Sequence, residues 1–322
     1  MNSPGKRPLM GGGAVAVIAG ATATGKSAVA LALAEALAAT GGGTIINADA
    51  SQLYADLRIL TARPSDADLA RAPHRLYGVI DGAEACSAAA WAVLARAEVD
   101  AALAAGRLPI LVGGTGLYLR TLLEGIATVP PIPTEVRDAV RALAPDEARA
   151  ALEAEDPAAA ARLHAADRQR TLRALEVVRA TGRTLAEWQG AVTGGLAATH
   201  RIVPVIVSRD REELYRRCDA RVDAMLANGA VAEVAALLDR RLPSDSPVLR
   251  AIGVGPLAEH LAGRATVAEA RARIALDTRR YAKRQSTWWR NQTPEWPQRD
   301  GGLGDINEIV SELFTNNELM LP

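Results

Sequence analysis

The sequence is poor in residue types that define several classes of protein. Only two of its 322 residues are cysteines, Cys86 and Cys218, and they lie far apart outside any CxxC spacing. This excludes a disulfide scaffold and a thiolate zinc site, and it fits a reducing compartment. No stretch of about 18 apolar residues is uninterrupted, because Ser27 and Glu35 break the longest candidate. We therefore expect no membrane span.

The sequence also lacks an excess of charge. Its 37 Lys and Arg residues balance 37 Asp and Glu residues, which argues against a polycation that coats nucleic acid but leaves a local basic patch open. The hydrophobic fraction of 49% argues against bulk disorder. Lys6 and Arg7 before the apolar stretch 9–23 imitate a secretory leader, but the glycines and threonines there fit a strand and loop better. We expect a cytoplasmic protein.

Apolar runs and helical patterns alternate along the chain. The predicted strands are 14–19, 44–48, 108–112 and 201–208, and the predicted helices are 27–39, 87–105, 212–228, 231–240 and 267–289. Such alternation implies βαβ units and a parallel sheet flanked by helices. After Ile126 a proline-rich linker, 129–133, precedes a segment without a convincing strand, which predicts a small all-helical insertion. We divide the chain into a core segment, 1–126, an insertion, 127–200, a returning core segment, 201–297, and a tail, 298–322, with a short amphipathic helix at 306–314.

The strongest motif follows the first predicted strand. It fits GxxxxGK[ST] and opens a helix, as a P-loop does; it comprises Gly20, Ala21, Thr22, Ala23, Thr24, Gly25, Lys26 and Ser27. Backbone N–H groups of such a loop enclose phosphate, and the helix N-terminus adds positive potential. Lys26 is expected to reach phosphate oxygens and Ser27 to enter the shell of a magnesium ion. The fold expected is a P-loop NTPase-like α/β core, and the motif alone does not select the reaction.

Two further loops follow predicted strands and belong to the same sheet edge. Asp49 begins the segment Asp-Ala-Ser-Gln-Leu-Tyr after the second strand, where a carboxylate can hold magnesium or accept a proton. A simple helix cap is the alternative interpretation. Thr115 lies in a glycine-rich turn, 113–116, for which substrate contact competes with a tight structural turn.

Two basic clusters break the even charge balance. One, 168–173, lies on a predicted helix. The other, 279–290, contains no acidic residue and carries Tyr281, Trp288 and Trp289, although aromatic residues are only 3% of the chain. Cations with interleaved aromatics suit phosphate contact and base stacking, while a solvated helix face is the alternative.

Taken together, the ordered motifs resemble those of the tRNA dimethylallyltransferases. They are GATATGKS at 20–27, NADASQLY at 47–54, ARPS at 62–65, APHRLYG at 72–78, GRLPILVGGTGLY at 106–118, RTLRALEV at 170–177, RIVPVIVSRDREELYRR at 201–217 and RRYAKRQSTWWR at 279–290. The resemblance implies transfer of a dimethylallyl group from dimethylallyl diphosphate to the exocyclic amine of the adenosine 3′ of the anticodon, with release of diphosphate and with Mg²⁺ as cofactor.

The resemblance also implies roles for individual residues. Asp49 would be the general base, Thr22 and Ser27 would place the leaving group or its magnesium, and Lys26 and Arg211 would neutralise charge on the diphosphate. The implied tRNA contacts are Asp49, Ala50, Ser51, Gln52, Thr115, Arg137, Gln169, Arg170, Arg173, Lys283, Arg284, Gln285, Trp288 and Arg290. A monomer is expected.

Three other functions remain open at this point. A small-molecule P-loop kinase would need a lid with arginines and a second magnesium-binding carboxylate, and the sequence offers no clear candidate for either. A non-catalytic RNA-binding protein is a second alternative, but it would not need Lys26, Ser27 and Asp49, and their presence argues against it. An enzyme that prenylates free adenine nucleotides would not need the insertion or the paired tryptophans.

Overall fold

The computed structural model describes residues 13–127, 129–190, 193–301 and 307–311. The strands are β1 (Ala14–Gly20), β2 (Gly43–Asn47), β3 (His74–Arg75), β4 (Leu108–Gly113), β5 (Gly125–Ile126), β6 (Thr193–Gly194), β7 (Arg201–Ser208) and β8 (Gln298–Asp300). The helices are α1 (Lys26–Ala36), α2 (Asp66–Arg71), α3 (Ala88–Ala104), α4 (Gly116–Glu124), α5 (Thr134–Ala142), α6 (Pro145–Glu155), α7 (Pro157–Arg162), α8 (Arg168–Thr181), α9 (Leu185–Gln189), α10 (Arg211–Ala227), α11 (Ala230–Asp239), α12 (Val254–Leu261) and α13 (Val267–Gln292).

The main sheet has the strand order β3-β2-β4-β1-β7-β8, and every pairing in it is parallel. The predicted return of 201–208 to the first sheet is confirmed, since β7 pairs with β1 along its length. The predicted parallel α/β fold is confirmed as well. The sequence analysis missed the two-residue β3, the edge strand β8 and the helix α12. Such short segments carry too few residues for a periodic pattern.

The two faces of the sheet bury alternate residues of β1. Ala16 and Ile18 pack with α1 in one apolar cluster, whereas Val15 and Val17 pack with Trp91 of α3 in another. This is the period of two that a strand imposes on its side chains. Because both faces are covered, β1 is buried throughout and reads as one continuous apolar run.

The chain divides into two compact units, 1–123 with 196–322, and 124–195. The sequence-based division placed the insertion at 127–200. The second unit consists of α5 to α9 around a small core that includes Val140, Leu152 and Leu175. It is not purely helical, because β5 and β6 form a two-residue antiparallel pairing. β5 lies at the start of this unit and β6 at its end, so the pairing joins the segments by which the chain enters and leaves it.

The expected tail helix at 306–314 lies partly outside the described residues. Residues 307–311 are helical, and Ile309 and Val310 are buried in the cluster around α1. None of the helices in the described ranges is long and apolar enough to cross a membrane.

Trp91 is expected to be a large contributor to stability. It is fully buried, stacks on Tyr118 at 4.8 Å between ring centroids, and donates from Nε1 to the carbonyl of Asn47 at 3.0 Å. Trp91→Ala should lower the free energy of unfolding by about 3–5 kcal/mol, measured by urea denaturation. Val93→Ala, on the same helix at an exposed position, should change it by about 0.5 kcal/mol or less. Equal effects of the two substitutions would contradict this account of the core.

Candidate active site

The P-loop motif forms the connection between β1 and α1. β1 ends at Gly20 and α1 begins at Lys26, with Gly25 as its N-cap. Gly25 has φ +100°, a left-handed conformation that favours glycine, which explains the residue at this position. In the part of the chain that the structure describes, the backbone N–H groups of residues 23–27 donate to no protein acceptor. They therefore form a set of donors available to an anion.

A cavity of about 510 Å³, here the phosphate-side cavity, lies beside this loop. It is lined by Ala23, Gly25, Lys26, Ser27, Arg216, Arg217, Ala220 and Arg221. Arg217 donates from Nε to the carbonyl of Ala23 at 2.8 Å, and Arg209 donates from Nε to that of Thr24 at 3.2 Å. These bonds hold the loop while bringing cations to the place where its N–H groups gather.

Lys26 is buried within this site. Its Nζ donates to the carbonyl of Ala21 at 3.1 Å. Burial lowers the pKa of Lys26 to about 8, with a smaller lowering from Arg221, and the nearby Asp49 opposes the shift. An anion placed beside Lys26 would favour its charged form, so the lysine is suited to a ligand that brings negative charge.

Arg221 of α10, and not Arg211, lines the cavity beside the phosphate loop. Arg221 lines the phosphate-side cavity and donates to the carbonyl of Thr61 at 3.0 Å, and burial lowers its pKa. Arg211 begins α10 as predicted, but it is exposed and its guanidinium lies 5.3 Å from the ring centre of Tyr215. It is not among the described residues that line the phosphate-side cavity.

A second cavity of about 400 Å³, here the central cavity, also has Arg221 in its lining. The polar residues of its lining include Thr22, Asp49, Ser51, Arg221, Tyr281 and Arg284, and Ala50 also lines it. Its apolar lining comes from Leu60, Val222, Met225, Val248, Ile252 and Ile274, with Tyr54 and Tyr118 beside them. Arg221 thus lines both cavities and joins the phosphate loop to Asp49.

Asp49 is held by its own loop. Its Oδ1 accepts from the Ser51 N–H at 3.0 Å and from the Ser51 hydroxyl at 2.7 Å, so it caps the single 3₁₀ turn Ala50–Leu53. The cap interpretation and the site interpretation of this segment are therefore both compatible with its geometry. Thr115 Oγ1 accepts from the Ala50 N–H at 3.0 Å, which ties the turn after β4 to this loop.

Two residues expected to contact tRNA make hydrogen bonds within the chain. Gln52 donates from Nε2 to the carbonyls of Thr61 and Ala62, both at 2.9 Å. Gln285 is 5% exposed and is bonded at both ends of its amide to backbone groups. The inward face of α13 carries Gln285 at its centre, a direction that sequence spacing alone did not reveal.

Other predicted tRNA contacts lie on helices of the described part of the chain. Lys283, Arg284 and Trp288 line a groove of about 500 Å³ on α13 with Arg280, Thr287, Asn291 and Gln292, and Arg290 is exposed nearby. In the helical unit, Gln169, Arg170 and Arg173 are exposed on α8, and Arg137 is half-buried on α5. Asp167 and Glu176 pair with Arg170 and Arg173 at 3.4 and 3.5 Å.

The comparisons with known proteins agree with one another. Residues 52–292, more than half of the chain, match the family model described as IPP transferase. The chain is 56% identical over 285 residues to a tRNA dimethylallyltransferase of Sphingopyxis alaskensis, covering 88% of this chain and 92% of the relative. It is 55% identical over 302 residues to that of Erythrobacter litoralis, covering 93% and 95%. The chain belongs to the tRNA dimethylallyltransferase family.

Solved structures place the fold in the same family. The full-length tRNA isopentenylpyrophosphate transferase of Bacillus halodurans matches with a TM-score of 0.68 and 30% identity, covering 95% of this chain and 96% of that one. A eukaryotic dimethylallyltransferase acting on tRNA matches with a TM-score of 0.81 and 25% identity, covering 95% and 79%. The family and the P-loop-like α/β fold expected from the sequence are confirmed, and the chain is a prenyltransferase enzyme.

Sequence reasoning missed Arg217 and Arg221 of this dimethylallyltransferase-family site. Both follow Arg211 on α10, and their spacing of four residues places them on one helix face. Leu214, Cys218 and Val222 are the buried residues between and beside them. That pattern of cations next to an apolar stripe was the available signal.

Lys26→Met should have opposite effects on stability and on anion binding. The folded pKa of about 8 lies below the usual 10.5, so the unfolded chain holds the proton more tightly and stability rises with pH between these values. At pH 7 the buried charge is a cost, and its removal should raise the melting temperature of the ligand-free protein, with a smaller difference near pH 10. Binding of inorganic diphosphate, measured by calorimetry, should weaken.

Lys283→Met is the matched control, because Lys283 is exposed on α13. It should leave both measurements nearly unchanged. Tighter or unaltered diphosphate binding by Lys26→Met would contradict the role given to this lysine.

Proposed function

We propose that this enzyme transfers a dimethylallyl group from dimethylallyl diphosphate to the exocyclic amine of the adenosine 3′ of the anticodon in certain tRNAs, releasing diphosphate. The observation that carries the proposal is that Arg221 lines two cavities, one lined also by Lys26 and Ser27 of the phosphate loop and the other by Asp49. The names of the relatives agree with this reaction.

The phosphate-side cavity suits the leaving group. Unpaired N–H groups of residues 23–27 would bind diphosphate oxygens, and Lys26, Arg217 and Arg221 would neutralise the charge that grows as diphosphate departs. Electrostatic stabilisation of this kind is commonly the largest contribution when an anionic group leaves. We propose Arg221 for the role that the sequence analysis gave to Arg211, because Arg221 lines both cavities.

Asp49 would act as the general base in the central cavity. The adenine amine nitrogen forms a bond to C1 of the dimethylallyl group, and the C1–O bond breaks with its electron pair leaving on diphosphate. The amine then carries one proton too many, and the Asp49 carboxylate accepts it. Ser51 would orient that carboxylate, since its hydroxyl donates to Oδ1 at 2.7 Å.

The apolar part of the central cavity suits a five-carbon hydrocarbon. Leu60, Val222, Met225 and Ile274 offer surface to a prenyl group and exclude water from the reacting carbon. Exclusion of water favours attack by the amine over hydrolysis of the diphosphate ester.

Mg²⁺ is the cofactor that we propose. Ser27 offers an exposed hydroxyl at the start of α1, a hard oxygen donor of the kind that this ion accepts. The described residues contain no group of three or more His, Cys, Asp or Glu side chains that could hold a metal alone. Ser27 with diphosphate oxygens and water is the donor set that fits, and the ion would supply charge neutralisation of the leaving group.

The anticodon arm would meet two sets of side chains. Lys283, Arg284, Trp288 and Arg290 of α13 offer cations and an aromatic ring, while Arg137, Gln169, Arg170 and Arg173 belong to the helical unit. Thr115 and Ala50 would contact the target base, which must leave its stack to enter the cavity. We propose a monomer, because one chain supplies the residues of both cavities, and we propose that it acts in the cytoplasm.

Asp49→Asn tests the proposed base. With labelled dimethylallyl diphosphate, Mg²⁺ and an unmodified anticodon stem-loop, it should lower kcat at least about 100-fold, since an amide cannot accept the proton. Asp100→Asn, an exposed change on α3, should keep wild-type activity. Wild-type activity in Asp49→Asn would remove the general base from the mechanism, and ATP-dependent phosphorylation in place of prenyl transfer would favour a kinase.

Arg221→Met tests the cation shared by the two cavities. Its kcat should fall about 100- to 1,000-fold, the usual effect of removing one electrostatic contact to a developing anion. Arg264→Met removes an exposed arginine paired with Glu259 and should have little effect. If Arg211→Met were as damaging as Arg221→Met, the assignment to Arg221 would lose its basis.

A further inference from the structure

Gln285 is a buried polar side chain whose two ends are bonded to different loops. Its Oε1 accepts from the Thr22 N–H at 2.8 Å, and its Nε2 donates to the Gly114 carbonyl at 2.9 Å. Both bonds are buried. Gln285 is not among the described residues that line either the central cavity or the phosphate-side cavity. Its amide therefore contacts the protein itself.

The two partners belong to loops with different tasks. Thr22 lies in the phosphate loop after β1, and Gly114 lies in the turn after β4. The approach to that turn is very close, because a Cβ built at Gly114 would lie 2.1 Å from Gln285 Nε2. Any side chain at position 114 would displace the amide. The close approach of Gln285 therefore explains why position 114 is a glycine, because the backbone conformation there does not itself require one.

The same face of α13 also reaches the loop that carries Asp49. Tyr281, one turn before Gln285, lines the central cavity together with Asp49. Thr115, which directly follows Gly114, accepts from the Ala50 N–H, next to Asp49. Hydrogen bonds of Gln285 and of the turn at 114–115 therefore connect the phosphate loop to the loop of the general base.

We propose that Gln285 is a positioning residue that sets the spacing between the diphosphate loop and the turn beside the target base. This inference rests on the proposed function, which assigns those tasks to the two loops. A primary amide suits the role because one group supplies both an acceptor for an N–H and a donor for a carbonyl. Transfer requires the reacting carbon and the amine to be aligned closely, so a shift of one loop lowers the rate more than it lowers binding.

Gln285→Met and Gln285→Glu separate positioning from tRNA contact. Methionine has similar length and suits burial, but it makes neither bond. We expect kcat to fall about 10- to 100-fold with Gln285→Met, while the KM for the stem-loop changes less than about threefold. A glutamate can still accept from the Thr22 N–H, so Gln285→Glu should recover part of kcat. Gln298→Met, the same change at an exposed position on β8, is the control and should match wild type.

Amide hydrogen exchange gives a readout that does not depend on activity. The Thr22 N–H has a buried acceptor in the wild type, so its exchange should be at least about tenfold faster in Gln285→Met and unchanged in Gln298→Met. Circular dichroism establishes that each variant is folded, and Gln285→Leu, which also makes neither bond, replaces Gln285→Met if the latter is not.

The outcomes distinguish the two levels of the account. If the wild-type protein transfers no dimethylallyl group to the stem-loop, the proposed function is overturned. If Thr22 exchange is nevertheless faster in Gln285→Met, Gln285 remains the link between the two loops. Unchanged Thr22 exchange in folded Gln285→Met overturns the link itself. A loss confined to the KM for the stem-loop overturns positioning in favour of direct tRNA contact.

Discussion

The parallel register of three neighbouring strands is the constraint on which the site depends. β4 lies between β2 and β1, with Asn47 paired to Val112 and Ala19 paired to Gly113. The three strands therefore end side by side, and the phosphate loop, the Asp49 loop and the turn at Thr115 emerge together at one edge. Each loop continues a strand that is buried on both faces, so its starting point is fixed by packing of the sheet.

Charge is added to this edge from outside the sheet. Arg217 and Arg221 reach it from α10, and burial, with a smaller contribution from Arg221, lowers the pKa of Lys26. The Lys26 ammonium group is poorly solvated there and gains a counter-charge when an anion binds. The same low-dielectric surroundings strengthen each contact to a departing diphosphate. The cost in stability at Lys26 and the proposed benefit in catalysis thus share one physical origin.

Sequence patterns were sufficient for the elements that are long or chemically distinctive. The apolar run of β1 and the glycines of the phosphate loop predicted a strand, a turn and a helix start in the right order, and β7 was correctly returned to the sheet. Such patterns did not predict the direction in which individual side chains point. Gln285 turns inward and Arg211 outward, because the packing of α13 and α10 against the loops decides which helix face is buried.

A structure of the enzyme with an unreactive thio analogue of dimethylallyl diphosphate and an anticodon stem-loop tests the central claim most directly. The account predicts diphosphate on residues 20–27 and Arg221, with the adenine amine about 3 Å from the Asp49 carboxylate. It also predicts the prenyl group among the apolar residues of the central cavity. An analogue bound away from the phosphate loop, or an adenine amine out of reach of Asp49, would contradict the account.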